Sequence, residues 1–130
     1  MFIILIIILF FCPKYKKKVL EKEIKEDLEL IFKAVIESNN WILIEMQIMS
    51  DHIHIFVSAH PKTSPLELIK KLKGISARLL FKKYPQFQKK EFCGKHLWGG
   101  GYYIGTAGIV TAESIQKYIQ ANTMANSSDI

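Results

Sequence analysis

Residues 41–59 read WILIEMQIMSDHIHIFVSA, and the rest of the predicted fold is built around this segment. Apolar and polar residues alternate through 41–49 and again through 52–59, a pattern typical of β-strands. Only Ser50 and Asp51 separate the two runs, so the stretch predicts a tight β-hairpin. Side chains two positions apart on a strand share a face, so His52 and His54 are expected to project together. The intervening isoleucines then point into the core.

The first 11 residues, MFIILIIILFF, are all apolar. A helix that spans a membrane needs about 20 such residues, so the segment is too short to span one, and a peripheral membrane segment is the alternative. It is rich in isoleucine and phenylalanine, and Pro13 follows it closely. We therefore predict a first strand that is buried on both faces.

Two long helices are predicted around the hairpin. Residues 19–38 carry apolar side chains at helical spacing, with charged residues between them. The second helix has a clear start: Ser64 is the expected N-cap, Pro65 takes the first helical position, and Glu67 completes a capping box. This helix is expected to end near Tyr84, before Pro85. Its predicted buried stripe is Leu68, Leu72, Ile75 and Leu79.

The last part of the chain predicts a strand and a helix. Residues 86–98 form a basic connection without an assigned element. Glycines 99–101 indicate a turn before a strand around Tyr102–Thr106, and Thr111 is a plausible N-cap for a helix over 112–124. The order is β-α-β-β-α-β-α, which indicates an α+β, ferredoxin-like antiparallel sheet with both long helices on one face. We treat residues 1–130 as a single domain.

Charge and cysteine content narrow the class of protein. The chain has 18 Lys and Arg against 12 Asp and Glu, a net charge of +6. Such a balance favours a polyanionic partner, with nucleic acid ahead of an acidic membrane surface. A basic protein without such a partner remains the alternative. Two cysteines are too few for a disulfide scaffold, so we expect reduced thiols and a cytoplasmic protein.

The histidine pair is a candidate half of a metal site. Neighbouring imidazoles on one strand face can bind a cation through neutral ring nitrogens. The alternative is a pair of polar residues on an exposed sheet face. Asp51 is adjacent, but regular strand geometry would point it to the opposite side. On the predicted last helix, Tyr118 and Asn122 share one face, and an Asn carbonyl can bind a hard cation. By periodicity alone, packing is the more ordinary role for Tyr118.

Several segments together resemble one known family, the IS200/IS605 transposases, which are single-tyrosine members of the HUH nucleases. The similar segments are CPKYKKKVL (12–20), MSDHIHIFVSAHPKTSP (49–65), LKGISARLLF (72–81), HLWGGGYYIGTAG (96–108) and ESIQKYIQAN (113–122). They occur in the family's order and spacing. The resemblance covers most of the chain and is far more specific than the histidine pair alone.

The resemblance implies a set of roles at the site. His52 and His54 would bind Mg²⁺ or Mn²⁺. Tyr118 would be the nucleophile that forms a 5′-phosphotyrosine with single-stranded DNA. Asn122 would be the third protein ligand, at a position where the family commonly has Gln. The family's pattern also implies a homodimer, in which the tyrosine helix of one subunit can complete the histidine site of the other.

Given this resemblance, we expect the basic residues to contact DNA phosphates. The alternative is that they only form a solvated surface. Tyr15, Phe56 and Trp98 are possible stacking surfaces for bases, although packing is the more ordinary role for Phe56 and Trp98. The residues expected to bind DNA are Lys14, Lys16, Lys17, Lys70, Lys73, Arg78 and Lys82.

Two other functions stay open. The first is a domesticated HUH endonuclease that cuts DNA hairpins without mobilising its own gene. The second is a non-catalytic, ferredoxin-like nucleic-acid-binding module, in which the histidines would be structural and Tyr118 would only pack.

Overall fold

The protein is built on a four-stranded antiparallel sheet. The computed structural model describes the backbone of residues 3–59 and 64–111, and the side chains of 6–59 and 64–106. The strands lie in the order β2-β3-β1-β4, and every neighbouring pair is antiparallel. Their bounds are Ile3–Pro13 for β1, Ile42–Ile48 for β2, Ile53–Ala59 for β3 and Trp98–Thr111 for β4.

Three helices connect the strands: α1 (Lys22–Ser38), α2 (Pro65–Lys83) and α3 (Pro85–Phe92). The predicted ferredoxin-like arrangement is therefore confirmed. The short helix α3 was not predicted, because its polar composition hides the helical signal. Phe87 and Phe92 anchor α3 on α2, with their rings 6.1 and 6.0 Å from that of Phe81. The predicted last helix, with Tyr118 and Asn122, lies outside the described residues.

One face of the sheet packs against the helices and forms the core. On this helix-covered face, Ile7, Leu9 and Phe11 from β1 are almost fully buried, as are Ile53, Ile55 and Val57 from β3. The opposite face, which we call the open face, is only partly covered in the described part of the chain. Its residues Ile6, Ile8, Phe10 and Phe56 are half-buried, and His54 is exposed. The expectation that β1 is buried on both faces is therefore wrong within these residues.

The start of α2 follows the sequence prediction. The Ser64 hydroxyl accepts a hydrogen bond from the backbone N–H of Glu67, and Pro65 occupies the first turn. The buried stripe differs from the prediction, because Leu79 is 39% exposed whereas Leu80 is buried. The reason is a polar residue inside the stripe: Ser76 is buried and its hydroxyl accepts a hydrogen bond from the Trp98 indole at 3.0 Å.

Glycines 99–101 lie inside β4, so the prediction of a turn there is wrong. The Lys73 ammonium donates to the carbonyl oxygens of Gly99 and Gly101, at 3.0 and 3.2 Å. These hydrogen bonds tie the first residues of β4 to α2, close to the end of β1. None of the helices among the described residues combines the length and apolar composition needed to cross a membrane.

Candidate active site

The two histidines lie at one end of the open face. His52 directly precedes β3, and His54 is its second residue. The strand register places Phe10 of β1 and Gln47 of β2 on either side of His54. Tyr103 of β4 is in turn the register partner of Phe10. Since partners in an antiparallel pair share a face, Gln47, His54, Phe10 and Tyr103 form a row across the sheet.

The aromatic ring of Phe10 contacts the rings of both histidines. Its ring centroid is 5.6 Å from that of His52 and 5.0 Å from that of His54, the latter edge-on. The two imidazole centroids are 6.1 Å apart. Contact with an aromatic ring restricts the rotation of both imidazoles, so the pair is partly preorganised.

Asp51 contacts His52, which corrects the expectation that it points away. Its carboxylate oxygen Oδ1 lies 2.8 Å from Nδ1 of His52. Regular strand geometry does not extend back to the turn, so the two side chains can meet. This hydrogen bond lowers the pKa of Asp51, which therefore stays ionised. A carboxylate on Nδ1 favours the proton on that nitrogen and leaves the lone pair of Nε2 available to a cation.

The two histidines can supply some, but not all, of the ligands of a metal ion. Among the described residues, no group of three or more His, Cys, Asp or Glu side chains is arranged to hold an ion. The two imidazoles nevertheless share a face, and the Asp51 contact gives His52 a tautomer suited to ligation. Further ligands would have to come from outside this group. The predicted ligand Asn122 and the predicted nucleophile Tyr118 lie outside the described residues.

Basic side chains line two cavities where the end of β1 meets the start of β4. Lys14, Lys73 and Arg78 line a cavity of about 940 Å³ between α2 and the start of β4, together with Lys95 and His96. Lys16 lines a second cavity beside the histidines. The remaining predicted DNA-binding residues Lys70 and Lys82 are exposed on α2.

Two of the predicted phosphate-binding lysines have partners within the protein. Lys17 hydrogen-bonds to the backbone carbonyl of Glu91 and lies 3.9 Å from its carboxylate. Lys73 donates to two carbonyls of β4, and burial lowers its pKa. The Lys17 ammonium therefore helps to hold helix α3, and the Lys73 ammonium helps to hold the start of β4.

The expected stacking residues differ in exposure. Tyr15 is exposed, whereas Trp98 is only 7% exposed and packs against Phe11 with ring centroids 4.9 Å apart. Trp98 therefore belongs to the core. Sequence reasoning missed the contributions of Phe10, Gln47 and Tyr103 to the histidine row. The only signal for them is the register between strands that are distant in the sequence, which no local pattern reveals.

These features define a class: α+β proteins with a ferredoxin-like sheet, an H-x-H pair on its open face and a basic surface beside it. Comparison with known proteins identifies the family. Residues 4–122 match the family model for IS200-like transposases. The chain is 38% identical over 113 residues to the ISDra2 transposase TnpA of Deinococcus radiodurans, covering 87% of this chain and 80% of that protein. It is 31% identical over 110 residues to the transposase of insertion sequence IS200 from Salmonella typhimurium, covering 85% and 71%.

Solved structures agree with this match. A crystal structure described as a transposase from Deinococcus radiodurans R1 superposes with a TM-score of 0.74 at 30% identity, over 91% of this chain and 90% of that one. A REP-associated tyrosine transposase bound to a REP hairpin gives a TM-score of 0.55 at 11% identity, over 88% and 61%, a likeness that shows the fold alone. The chain belongs to the IS200-like transposase family, as its sequence motifs predicted. It is therefore a transposase, an enzyme that cleaves and joins DNA strands.

Proposed function

We propose that the protein is a metal-dependent transposase of single-stranded DNA that acts at the ends of an insertion sequence, with Tyr118 as the nucleophile. The observation that carries the proposal is the pairing of His52 and His54 on the open face, with Asp51 hydrogen-bonded to His52. A stacked or merely structural histidine does not need an ionised carboxylate on one ring nitrogen. A ligand histidine benefits from it, because the partner fixes the tautomer and raises the basicity of the other nitrogen.

In this proposal His52, His54 and Asn122 hold one Mg²⁺ or Mn²⁺ ion. The bound ion would supply Lewis acidity toward a non-bridging oxygen of the scissile phosphate. The Tyr118 oxygen attacks phosphorus, the bond to the 3′ oxygen breaks, and that oxygen leaves as a free 3′-OH. The other strand end remains attached as a 5′-phosphotyrosine. A 3′-OH from another strand end then attacks the phosphotyrosine, which joins the DNA and releases Tyr118.

The basic surface would hold the substrate. In this proposal Lys14, Lys16 and Arg78, which line the two cavities, and the exposed Lys70 and Lys82 on α2 contact phosphates of the bound strand. Such contacts give affinity that falls steeply with salt, without reading the sequence. The fold relative that was solved with a DNA hairpin supports a hairpin end as substrate. Residues 1–130 would act as one catalytic domain.

A homodimer is also proposed, with the tyrosine helix of one subunit completing the histidine site of the other. Within the described residues, β4 is an outer strand of 14 residues with one side unpaired. A long edge strand of this kind can pair with a second copy. Mixing Tyr118→Phe with His52→Ala tests the arrangement. Action in trans restores cleavage, because mixed dimers contain one intact site, whereas action within one subunit leaves the mixture inactive.

The catalytic proposal is tested by a covalent adduct. Labelled single-stranded oligonucleotides from the DNA that flanks the gene are incubated with the protein, with Mg²⁺ or Mn²⁺ or with EDTA, and resolved on a denaturing gel. We expect a metal-dependent adduct that Tyr118→Phe and His52→Ala abolish. A matched control is Tyr84→Phe, which changes the same residue type on the helix side of the molecule and should retain the adduct. An adduct in Tyr118→Phe would contradict the assignment of the nucleophile.

The two alternatives give other outcomes. A domesticated endonuclease would cleave hairpins and form the adduct, but would not join the cleaved ends to a second strand. A non-catalytic module would bind the oligonucleotides without any adduct, and His52→Ala would not change its response to metal.

A further inference from the structure

A cavity of about 540 Å³ adjoins the histidine row. It lies where β1 ends and β4 begins, and we call it the aromatic pocket. Its volume falls within the usual range for small-molecule sites, roughly 300 to 1,000 Å³. The side chains that matter below are Phe10, Tyr15, Lys16, Tyr102 and Tyr103.

Three of these side chains are tyrosines with much of their surface in solvent. Tyr15 is 73% exposed, Tyr102 49% and Tyr103 58%. Tyr102 is the register partner of Phe11 and points to the helix-covered face, where the Lys73 ammonium lies 5.3 Å from the centre of its ring. Tyr15 and Tyr103 remain as two exposed rings at the pocket, and an exposed aromatic patch of this kind often marks a binding site. Aromatic rings that converge on a cavity offer π-faces to a flat ligand.

The rings are held in place by the backbone around them. A Cβ at Gly105 would lie 2.6 Å from the hydroxyl oxygen of Tyr103 and 2.8 Å from its ring. The Tyr103 ring therefore lies against the strand at Gly105, and its other side is turned to solvent. Any larger residue at position 105 would displace it.

Tyr15 is presented by a strained turn. Tyr15 and Lys16 have φ angles of 65° and 51°, in the left-handed region that is unfavourable for residues with a Cβ. The backbone N–H of Lys14 anchors the turn by donating to the carbonyl of Leu97 at 2.8 Å. A tyrosine rather than a glycine at such a position indicates that its side chain has a use.

Positive charge makes the aromatic pocket suitable for an anion. Lys16 lines it, and the Lys14 ammonium lies 5.4 Å from the centre of the Tyr15 ring. Lys14 also lines the larger basic cavity, so the cationic rim is continuous between the two. Lysines beside aromatic rings match a ligand that is flat in one part and negatively charged in another, which describes a nucleotide.

Phe10 links the aromatic pocket to the histidines. Its ring forms part of the pocket and also contacts the rings of His52 and His54. A nucleotide in the pocket would consequently be the neighbour, along the DNA, of a nucleotide whose phosphate lies at the histidine pair.

We propose that the aromatic pocket binds one unpaired nucleotide of the DNA substrate, with its base stacked on Tyr15 and Tyr103 and its phosphate near Lys16. This inference rests on the proposed function, because it assigns the nucleotide that flanks the scissile phosphate. It adds a contact to the base itself, whereas the lysines contact only phosphates.

The test compares two probes in EDTA, so that no cleavage occurs: a short oligothymidylate and an abasic oligomer of the same length. Fluorescence anisotropy gives the affinity for each. Removing one base–aromatic stack should weaken binding about 5- to 150-fold. We expect Tyr15→Ala and Tyr103→Ala to weaken binding of oligothymidylate by this factor while leaving the abasic oligomer unchanged. Lys16→Ala should weaken both probes equally.

Two further variants make the test specific. Tyr15→Phe keeps the ring and should bind like the unmodified protein. Tyr15→Gly removes the ring but suits the left-handed turn, so it should raise the melting temperature while losing the preference for bases. Leu30→Ala, which removes an exposed side chain on α1, is the surface control and should change neither probe.

The outcomes separate this inference from the catalytic proposal. If Tyr15→Ala and Tyr103→Ala keep the full preference for oligothymidylate over the abasic oligomer, the pocket does not bind a base, whether or not a covalent adduct forms. If the preference is lost in these variants but no adduct appears with the unmodified protein, the pocket stands and the catalytic proposal fails.

Discussion

The two faces of the sheet are made by the same strands, yet they have opposite properties. On β1, Phe11 is buried against the helices, whereas its neighbour Phe10 is half-buried beside two histidines. On β3, Ile53 and Ile55 are fully buried, whereas His54 between them is exposed. Because side chains alternate along a strand, stability and function can be assigned to alternate residues of one segment. Substitutions at adjacent positions should therefore have different consequences.

The largest expected difference is between Phe11→Ala and Phe10→Ala. Phe11 is buried against Phe32 and Trp98, so truncation should lower the free energy of unfolding by about 3 to 5 kcal/mol. Phe10→Ala should cost only about 1 kcal/mol, because its ring is already partly exposed. Urea denaturation followed by circular dichroism measures both. If both variants lost the same free energy of unfolding, the side chains of the open face would contribute to stability as much as those of the helix-covered face.

Two serines, one on each face of the sheet, give a second comparison, in which we expect a smaller difference in stability. Ser76, on the helix side, accepts the hydrogen bond of the buried Trp98 indole, so Ser76→Ala should cost about 1 to 3 kcal/mol by leaving that N–H unpaired. The buried Ser58 hydroxyl, on the open face, has no hydrogen-bond partner within the described residues. Ser58→Ala removes this hydroxyl without breaking a hydrogen bond, so it should leave stability unchanged or raise it by up to about 1 kcal/mol. A large loss at Ser58 would contradict the view that this hydroxyl contributes little.

On the open face, we expect substitutions to change the affinity for a metal ion and to leave the stability of the fold nearly unchanged. Asp51→Ala removes the carboxylate that fixes the His52 tautomer, and loss of such a partner typically weakens metal binding about 10- to 100-fold. Thermal stability without metal should hardly change. Titration with Mn²⁺, followed by electron paramagnetic resonance of the free ion, measures the affinity directly. Asp27→Ala removes an acidic group elsewhere and should bind Mn²⁺ like the unmodified protein.

The smallest effect is expected at the outer surface of the helices, where Asp27 accepts hydrogen bonds from Tyr84 and Lys83. The Tyr84 hydrogen bond, followed by that of Lys83, lowers the pKa of Asp27 below its usual 3.8. A carboxyl whose pKa is lower in the folded state stabilises the fold above its unfolded pKa, and this contribution is lost as the pH falls through the folded value.

Asp27→Asn should accordingly flatten the decline of melting temperature below about pH 4, with little effect near neutrality. Melting curves of the two proteins across this range provide the comparison. If the melting temperature of the variant fell with pH as steeply as that of the unmodified protein, other carboxyl groups would be responsible for the decline. The Asp51 carboxyl, whose pKa is lowered by His52, is the next candidate.

Local patterns were enough for much of the fold. Alternation in 41–59 predicted the hairpin, and Ser64 with Glu67 predicted where α2 begins, because both signals arise between residues close in sequence. Errors came where a distant contact decided the outcome. The buried stripe of α2 passes through Ser76 because Trp98 needs an acceptor, and the strand at Gly99 begins early because Lys73 holds its carbonyls.

For the candidate site, the sequence was enough to predict that His52 and His54 share a face, because side chains two positions apart on a strand point to the same side. It also determined the family, through motifs spread along the chain. The tertiary structure was needed to show that Asp51 turns toward His52, that Phe10 lies between the histidines and the aromatic pocket, and that the exposed rings of Tyr15 and Tyr103 border one cavity. The Asp51 contact depends on where the strand gives way to the turn. The neighbours from β1 and β4 come from segments far apart in sequence, and their register is set by the packing of the whole sheet on its helices, which no single stretch encodes.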